Sequence, residues 1–254
     1  MDIFQSIIIG VIEGFTEFLP ISSTGHMIVA SKFLGLPQDD AMKAYEVIIQ
    51  FAAILAVLIE YRSRLTLKES TLWAKVFVAF MPLLVVGYIF KDQIKALFDP
   101  TLVAIMFIVG GVAFLIIEYF YREDKTRVKN LDDLSFKDAF LIGLFQLLSF
   151  IPGTSRAGST IAGAMLIGVN RKTSAEFSFL LAIPVMGAVS SYDLLKHYKD
   201  LMQGNVEAYL IGFVTAFVVA YLTIKLFLAF ISRFSFVPFG IYRILFGAFL
   251  LYIF

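Results

Sequence analysis

The sequence predicts an all-α integral membrane protein, an inverted repeat of six transmembrane helices plus two broken re-entrant helical hairpins. Three observations predict this fold class. The 254 residues are 59% hydrophobic and 16% charged, with a mean hydropathy of +0.86, whereas a water-soluble globule carries roughly 25% charged residues. Long apolar stretches alternate with charged loops. Two of the apolar stretches are interrupted by a proline that small polar residues follow.

Composition excludes several classes of site. The absence of cysteine rules out disulfides, thiolate-bound metals and a cysteine nucleophile. Two histidines are too few for a zinc site with three histidine ligands, so any metal would be a hard cation on oxygen ligands. A net charge of +1 without a basic tract disfavours a nucleic-acid partner. The start, Met1-Asp2-Ile3, lacks a basic region, so we expect the first apolar stretch to be retained rather than cleaved.

Six stretches have the length of a membrane crossing. A helix rises about 1.5 Å per residue and the bilayer core is about 30 Å thick, so a crossing needs roughly 20 apolar residues. The six are Ala44 to Tyr61, Thr71 to Phe90, Thr101 to Tyr119, Thr173 to Tyr192, Val206 to Ile231 and Phe236 to Phe254.

Two further apolar stretches, Ile3 to Leu34 and Phe136 to Val169, are cut near the middle by Pro20 and Pro152. Proline ends or kinks a helix because it lacks the N–H group and its ring clashes with the preceding turn. Non-helical backbone is tolerated at membrane depth only where protein buries it or water reaches it. We therefore expect two re-entrant hairpins, in each of which a half-helix enters, stops and returns.

The two broken stretches resemble each other and indicate an internal repeat. GVIEGFTEFLPISSTGH aligns with GLFQLLSFIPGTSRAGS after one deletion. The matched pairs are Gly10 with Gly143, Pro20 with Pro152 and Ser23 with Ser155. We expect two halves, 1–121 and 136–254, joined by a charged cytoplasmic linker, 122–135. Three crossings per half invert the second half, which brings both hairpins face to face near the bilayer midplane.

The distribution of Lys and Arg predicts the orientation. The loops that follow Tyr61 and the linker 122–135 are richer in these residues than the loops on the other side. The richer side is expected to be cytoplasmic. Both termini and the mouth of the first hairpin then lie outside.

Two acids in the first hairpin are candidate metal ligands. Glu13 and Glu17 are four residues apart and so share one face of a helix. Each carboxylate costs about 2.5 to 3.5 kcal/mol at mid-membrane, so the pair needs a cation. A divalent ion shared with a phosphorylated substrate and a shared proton both remain open. The plain alternative is an interfacial helix with solvated acids.

The residues after Pro20 suit a phosphate. Ser22, Ser23 and Thr24 are types that cap a helix start, and a helix N-terminus presents N–H groups and a positive dipole end. Ser23 and His26 are three apart, so a hydroxyl and an imidazole could both reach one phosphorus. The alternative is a helix cap with a hydrogen-bonded histidine.

Arg156 follows the second break and is the candidate phosphate clamp. Its guanidinium keeps its charge and presents a fork that matches phosphate oxygens. The alternative is an ion pair with Glu13 or Glu17 that merely closes the fold. Thr154 and Ser155 are further donor candidates.

Other intramembrane charges have structural interpretations. Lys75, Lys225 and Arg243 are expected to snorkel or to form structural pairs. Glu46 and Glu176 occupy matching positions of the two halves and are expected to support the hairpins.

Taken together, the motifs EGFTEFLPISSTGH and PGTSRAGST, with YEVIIQ at Tyr45 to Gln50, resemble the bacterial undecaprenyl pyrophosphate phosphatase family, which is also associated with bacitracin resistance. The resemblance covers nearly the whole chain. One variation is Ala157, where many members carry a serine. The family's functional residues fall on Glu13, Glu17, Ser23, His26 and Arg156.

The resemblance implies that undecaprenyl pyrophosphate is hydrolysed to undecaprenyl phosphate and phosphate, with help from a divalent cation, Mg²⁺ or Ca²⁺. The reaction would recycle a lipid carrier for cell-wall synthesis at the outer, periplasmic side of the bacterial inner membrane. The expected partners are a polyprenyl pyrophosphate and the bilayer, with no nucleic acid, and a homodimer is left open.

These considerations assign roles to the candidate residues. The expected substrate-binding residues are Ser22, Thr24, Thr154, Ser155 and Arg156, the catalytic ones Glu17, Ser23, His26 and Arg156, and the metal ligands Glu13 and Glu17. Ser23, His26 and an activated water remain open as nucleophile, and Ser23 with His26 as its base is favoured. The competing functions are a lipid-phosphate transporter or flippase, and a binding protein without catalysis.

Overall fold

The computed structural model describes residues 1–36, 40–203 and 205–254, and in these ranges the chain forms α-helices and short 3-10 turns but no β-strand. The helices are α1 Ile3–Thr16, α2 Ser23–Phe33, α3 Asp40–Glu60, α4 Ser70–Ile89, α5 Lys91–Lys95, α6 Pro100–Phe120, α7 Phe136–Gln146, α8 Arg156–Leu166, α9 Arg171–Gln203, α10 Val206–Ile231 and α11 Val237–Ile253. The all-helical prediction is confirmed for this part of the chain.

Five helical segments of the described chain are long and apolar enough to cross a membrane. They are Met42–Glu60, Leu67–Ile89, Pro100–Phe120, Arg171–Tyr192 and Val206–Ile231. They match five of the six predicted crossings. The sixth stretch forms α11, which has 17 residues and is therefore about 25 Å long at 1.5 Å per residue. The count of six crossings stays a prediction.

Both predicted helix breaks are confirmed. The first separates the end of α1 at Thr16 from the start of α2, and the second separates the end of α7 at Gln146 from the start of α8. Each second helix follows a serine with positive φ, 65° at Ser22 and 76° at Ser155, and no other non-glycine residue of the described chain has one. Such backbone costs of order 1 to 3 kcal/mol and clusters at functional sites.

These two serines correct the alignment of the halves. Ser22 and Ser155 occupy the same place, immediately before the first residue of α2 and of α8. The match of Ser23 with Ser155 is therefore wrong by one residue, because Gly10 and Gly143 are as far apart as Ser22 and Ser155, so the two stretches align without a deletion and Pro20 matches Gly153. Ser23 corresponds to Arg156 instead.

The helix before each break packs on a long helix from a distant part of the chain. The helix α1 lies against α10, and α7 lies against α4. Both contacts depend on a glycine, because a Cβ added at Gly10 would lie closer than 3.0 Å to the carbonyl oxygen of Gly212, and one at Gly143 would lie equally close to that of Ala79. Backbones approach this closely only where small residues line the contact. The pairs α3 with α9 and α6 with α11 complete the bundle.

The predicted structural roles hold for two of the three basic residues. Lys75 is buried and donates to the carbonyl oxygen of Asp132 at 3.1 Å. The ammonium of Lys225 lies 3.8 Å from a carboxylate oxygen of Glu60. Arg243 neither snorkels nor, among the described residues, forms an ion pair.

Candidate active site

A cavity of about 600 Å³ lies between the two helix breaks. The first break lines it with Glu17, Ser22, Ser23 and Thr24. The second break lines it with Pro152, Gly153, Ser155 and Arg156. Apolar side chains of α4 and α9, including Leu83 and Val185, form much of the remaining wall. Residues that are more than 120 positions apart in the sequence therefore share one space.

The carboxylate of Glu17 is the centre of this site. The hydroxyl of Ser23 donates to Oε2 of Glu17 at 2.7 Å, and Nη2 of Arg156 donates to Oε1 at 3.2 Å. Ser23 and Arg156 are the first residues of α2 and α8, so the residues that begin the two helices after the breaks bind the two oxygens of one carboxylate. Arg156 and Glu17 form an ion pair, as the alternative interpretation of Arg156 required, and this pair lies in the cavity wall.

Arg156 is held firmly but retains donor capacity. Its Nη1 donates to the carbonyl oxygen of Ser178 at 2.9 Å, while its Nε is buried without a hydrogen-bond partner. A buried donor without a partner carries a desolvation cost of about 1 to 3 kcal/mol. An oxyanion that entered the cavity would offer the guanidinium further acceptors.

The two half-helices begin differently. The hydroxyl of Ser155 accepts from the N–H of Gly158 at 3.0 Å and caps α8. Ser22 occupies the capping position of α2 but makes no such bond. The start of α2 therefore keeps N–H groups without a side-chain acceptor, beside Ser23 and Thr24 in the cavity wall. Such a terminus favours an anion.

Glu13 lies one turn before Glu17 and is 1% exposed. One of its carboxyl oxygens is buried without a hydrogen-bond partner. The described residues contain no group of three or more His, Cys, Asp or Glu side chains placed to hold a metal. The oxygen of Glu13 that lacks a partner would suit a hard cation, although Glu13 does not line the cavity and both carboxylate oxygens of Glu17 have partners.

His26 does not face the Glu17 cavity. Its ring lies in a separate apolar cavity of about 510 Å³ between α1, α2 and α11, stacked on Phe246 at 4.3 Å between ring centres. Nδ1 lies 2.8 Å from the carbonyl oxygen of Ser22, and Nε2 lies 2.5 Å from the hydroxyl of Tyr242. A carbonyl only accepts, so Nδ1 donates and, in the neutral ring, Nε2 accepts from Tyr242.

The structure therefore does not bring Ser23 and His26 onto one cavity. Their spacing of three residues allowed both side chains to reach one phosphorus. Instead, the hydroxyl of Ser23 donates to Glu17, while the imidazole of His26 bonds to the carbonyl oxygen of Ser22 and packs on α11. Glu17, not His26, is the group in hydrogen-bond contact with the Ser23 hydroxyl.

Comparison with known proteins identifies the family. Residues 6–249 match the family model described as bacitracin resistance protein BacA. The chain belongs to this family.

Curated relatives align with this BacA-family chain along its whole length. The undecaprenyl-diphosphatase of Sulfurovum sp. (strain NBC37-1) is 65% identical over 253 residues, which cover 100% of both chains. That of Sulfurimonas denitrificans is 60% identical over 255 residues, with the same coverage. The undecaprenyl-diphosphatase of Methanococcus aeolicus is 48% identical over 254 residues, which cover 100% of this chain and 99% of the relative.

Sequence reasoning placed most of the cavity's polar residues but missed some in this BacA-family chain. Thr24 and Ser155 line the cavity, whereas the hydroxyl of Thr154 is buried without a partner and does not line it. Ser149 lines the cavity without having been singled out, and so does Gln50, for which only a supporting role beside the hairpins was expected.

Arg243 was expected to snorkel or to form a structural pair, but it is 0% exposed and donates to backbone carbonyls of both breaks. A signal for it exists in the sequence, because the apolar stretch 237–253 contains this arginine and no acid.

Proposed function

We propose that this chain is an undecaprenyl-diphosphatase, which hydrolyses undecaprenyl diphosphate to undecaprenyl phosphate and inorganic phosphate and so recycles a lipid carrier for cell-wall synthesis. One observation carries the proposal: the starts of two half-helices bring Ser23, Arg156 and Glu17 together in one cavity. Membership of the BacA family and the names of the full-length relatives support the same activity.

The terminal phosphate would bind between the two helix starts. The fork of Arg156 suits phosphate oxygens, and the uncapped start of α2 adds N–H groups and a positive dipole end. The hydroxyls of Ser22 and Thr24 are further donors in the same wall. Arg156 and the start of α2 would thus supply positive charge to the phosphate oxygens. Ser23, the first residue of α2, would supply a hydroxyl beside the phosphorus.

Ser23 is the proposed nucleophile and Glu17 its base. The hydroxyl proton of Ser23 already points at Glu17 across 2.7 Å. When Oγ attacks the terminal phosphorus, the proton passes to Glu17, the bond to the bridging oxygen breaks, and undecaprenyl phosphate leaves. A water then attacks the phosphoserine, the Oγ–P bond breaks, Glu17 returns the proton to Oγ, and phosphate leaves while the proton lost by the water passes to phosphate or solvent. A water activated directly by Glu17 is the alternative within the same geometry.

Glu13 and Glu17 would hold the divalent cation, Mg²⁺ or Ca²⁺. The support is the free, buried oxygen of Glu13 one turn from Glu17. Such a cation would neutralise charge on the diphosphate oxygens.

The outer face of the inner membrane is the proposed side of the reaction. Ile94 and Phe98, which follow α4, line the cavity, and their loop belongs to the side that is poorer in Lys and Arg. Cysteine labelling tests this. An impermeant reagent added to intact cells should label a cysteine at the exposed Gln93 and spare one at Asn130, and the reverse pattern would overturn the orientation.

Phosphate release from purified protein tests the activity. In detergent, without a membrane gradient, the protein should release phosphate from undecaprenyl diphosphate. EDTA should abolish this release, and the later addition of Mg²⁺ or Ca²⁺ should restore it. A transporter, a flippase or a binding protein would release none. Protein with Ser23→Ala, purified identically, controls for contaminating phosphatases.

A further inference from the structure

Arg243 in α11 makes hydrogen bonds that link three parts of the molecule. Its Nη1 donates to the carbonyl oxygen of Pro20 at 3.0 Å. Its Nη2 donates to the carbonyl oxygens of Gly153 and Met106, each at 2.9 Å, and its Nε donates to that of Phe107 at 3.3 Å. One side chain therefore joins the first break, the second break and α6.

The two break carbonyls occupy equivalent positions. Pro20 precedes Ser23 by three residues, and Gly153 precedes Arg156 by three residues. Ser23 and Arg156 begin α2 and α8 and bind the same carboxylate. Arg243 thus holds the backbone behind each of the two groups that meet at Glu17. Because a broken helix leaves carbonyls without intrahelical partners, these acceptors need such a donor.

A buried guanidinium is costly, which makes this arrangement informative. Arg243 is 0% exposed, and no carboxylate among the described residues pairs with it. An arginine keeps its charge, so its desolvation must be offset by dipoles and by the ring of Phe107, 5.2 Å from the guanidinium carbon. A charge that served only to close the bundle would be accommodated more easily in an ion pair or near the interface.

The neighbouring helix leaves room for this side chain. A Cβ added at Gly110 of α6 would lie closer than 3.0 Å to the Arg243 guanidinium. The backbones of α6 and α11 also meet at Gly111 and Gly240, where an added Cβ would approach the facing carbonyl oxygen. The guanidinium is therefore confined to one position between the breaks.

We infer that Arg243 is a positioning residue of the phosphatase reaction: by binding the carbonyls of Pro20 and Gly153 it fixes the two breaks relative to each other, and thereby Ser23 and Arg156 on either side of the phosphate. The inference rests on the proposed function. Arg243 itself lies behind the break segments and does not line the cavity, so it would not contact a phosphate bound there. A misplacement of about 1 Å between reacting groups costs about 10²-fold in rate.

Two variants test the inference by different routes. Arg243→Lys keeps the charge but replaces a fork that spans several carbonyls by one ammonium. Gly110→Ala keeps the arginine and displaces it, because the added methyl takes its space. The matched control is Gly187→Ala in α9, where an added Cβ meets nothing within 4 Å.

The readouts are kcat, KM, thermal midpoint and hydrogen–deuterium exchange of the segments 17–22 and 151–155. For both variants we expect a folded protein with kcat lower by about 10²-fold, KM changed far less, and faster exchange at both breaks, while Gly187→Ala behaves as wild type. If Arg243→Lys fails to fold, the kcat and the exchange rates of Gly110→Ala test the inference alone.

Unchanged kcat in folded Arg243→Lys or Gly110→Ala would overturn the inference. So would faster exchange that is confined to α6 and α11 and spares the breaks, because that result would assign Arg243 to helix packing alone. If wild-type protein releases no phosphate, the proposed function fails, and the exchange at the two breaks still decides whether Arg243 clamps them.

Discussion

The two helix breaks share a backbone but carry opposite chemistry. Each has a proline, a serine with positive φ and a half-helix that begins at the following residue. The first of these residues is Ser23 in one half and Arg156 in the other, and only the first half supplies the acid, Glu17. Two breaks with the same backbone form have thus placed a hydroxyl and a guanidinium at the carboxylate of Glu17 in one cavity.

Finer contacts show the same specialisation. The carbonyl oxygen of Ser22 accepts from Nδ1 of His26, and the carbonyl oxygen of Ser155 accepts from the hydroxyl of Ser159, four residues on in each case. Both breaks therefore keep a hydrogen bond to the carbonyl oxygen of the serine, but the donor is an imidazole in one and a hydroxyl in the other. The imidazole reaches further, to Tyr242 on α11, so the first half-helix is tied to a neighbour in a way that the serine cannot reproduce.

The largest effect is expected from Ser23→Ala. Phosphate release should fall to the uncatalysed background, because the proposed nucleophile is removed, while His26→Ala should retain part of the turnover, since the imidazole faces the other cavity. The control is Ser149→Ala, which removes a hydroxyl from the same wall. Substantial turnover by Ser23→Ala with none by His26→Ala would remove the serine from the mechanism. A trapped phosphoenzyme would identify the residue that carries the phosphate.

Arg156→Lys should lower kcat by about 10² to 10³-fold, although the charge is kept. One ammonium cannot bind Glu17, the Ser178 carbonyl and a phosphate in a planar fork. Detergent gel filtration should show that the variant is folded. Near-normal turnover would reduce Arg156 to a structural partner of Glu17.

Glu13→Gln should raise the concentration of Mg²⁺ or Ca²⁺ needed for half-maximal activity by about 10- to 100-fold, because one of the two proposed ligands loses its charge. The measurement is a metal titration of EDTA-treated protein. An unchanged titration curve would leave Glu17 alone with the cation or place the cation elsewhere.

Substitution of the glycine at each of the two close helix contacts, Gly10 and Gly143, should destabilise the protein to a similar extent. Gly10→Ala and Gly143→Ala should each cost about 1 to 3 kcal/mol and lower the thermal midpoint, since the added methyl meets the backbone of α10 or α4. Gly187→Ala is the control, with no loss expected. A clear loss in only one of the two variants would argue that the halves pack by different rules.

The smallest effect is expected from Gln146→Met. Gln146 corresponds to Glu13 in the repeat, is 0% exposed, and has both polar side-chain atoms buried without partners. Its replacement by an apolar side chain of similar size should leave kcat unchanged and raise stability by about 1 kcal/mol. A fall in kcat would contradict this prediction and would indicate that the side-chain amide of Gln146 contributes to the reaction.

Local chemistry explains what could be predicted from the sequence. Pro20 and Pro152 interrupt helices wherever they stand, because the missing N–H and the ring act within one turn. Five of the predicted crossings follow from length and hydropathy alone. The residue types of the site were likewise visible, since carboxylates, a guanidinium and hydroxyls beside a helix break are unusual in an apolar chain.

Contacts between distant helices decided the rest. Ser23 and His26 were equally able to face a phosphate by spacing, and only the positions of Glu17 and of Tyr242 on α11 separated them into two cavities. The apolar stretch around Arg243 marks the arginine as unusual, but only folding brings the carbonyls of Pro20 and Gly153 to its guanidinium. Hydrogen bonds act over about 3 Å, whereas these partners lie far apart along the chain, so only the packed bundle assigns them.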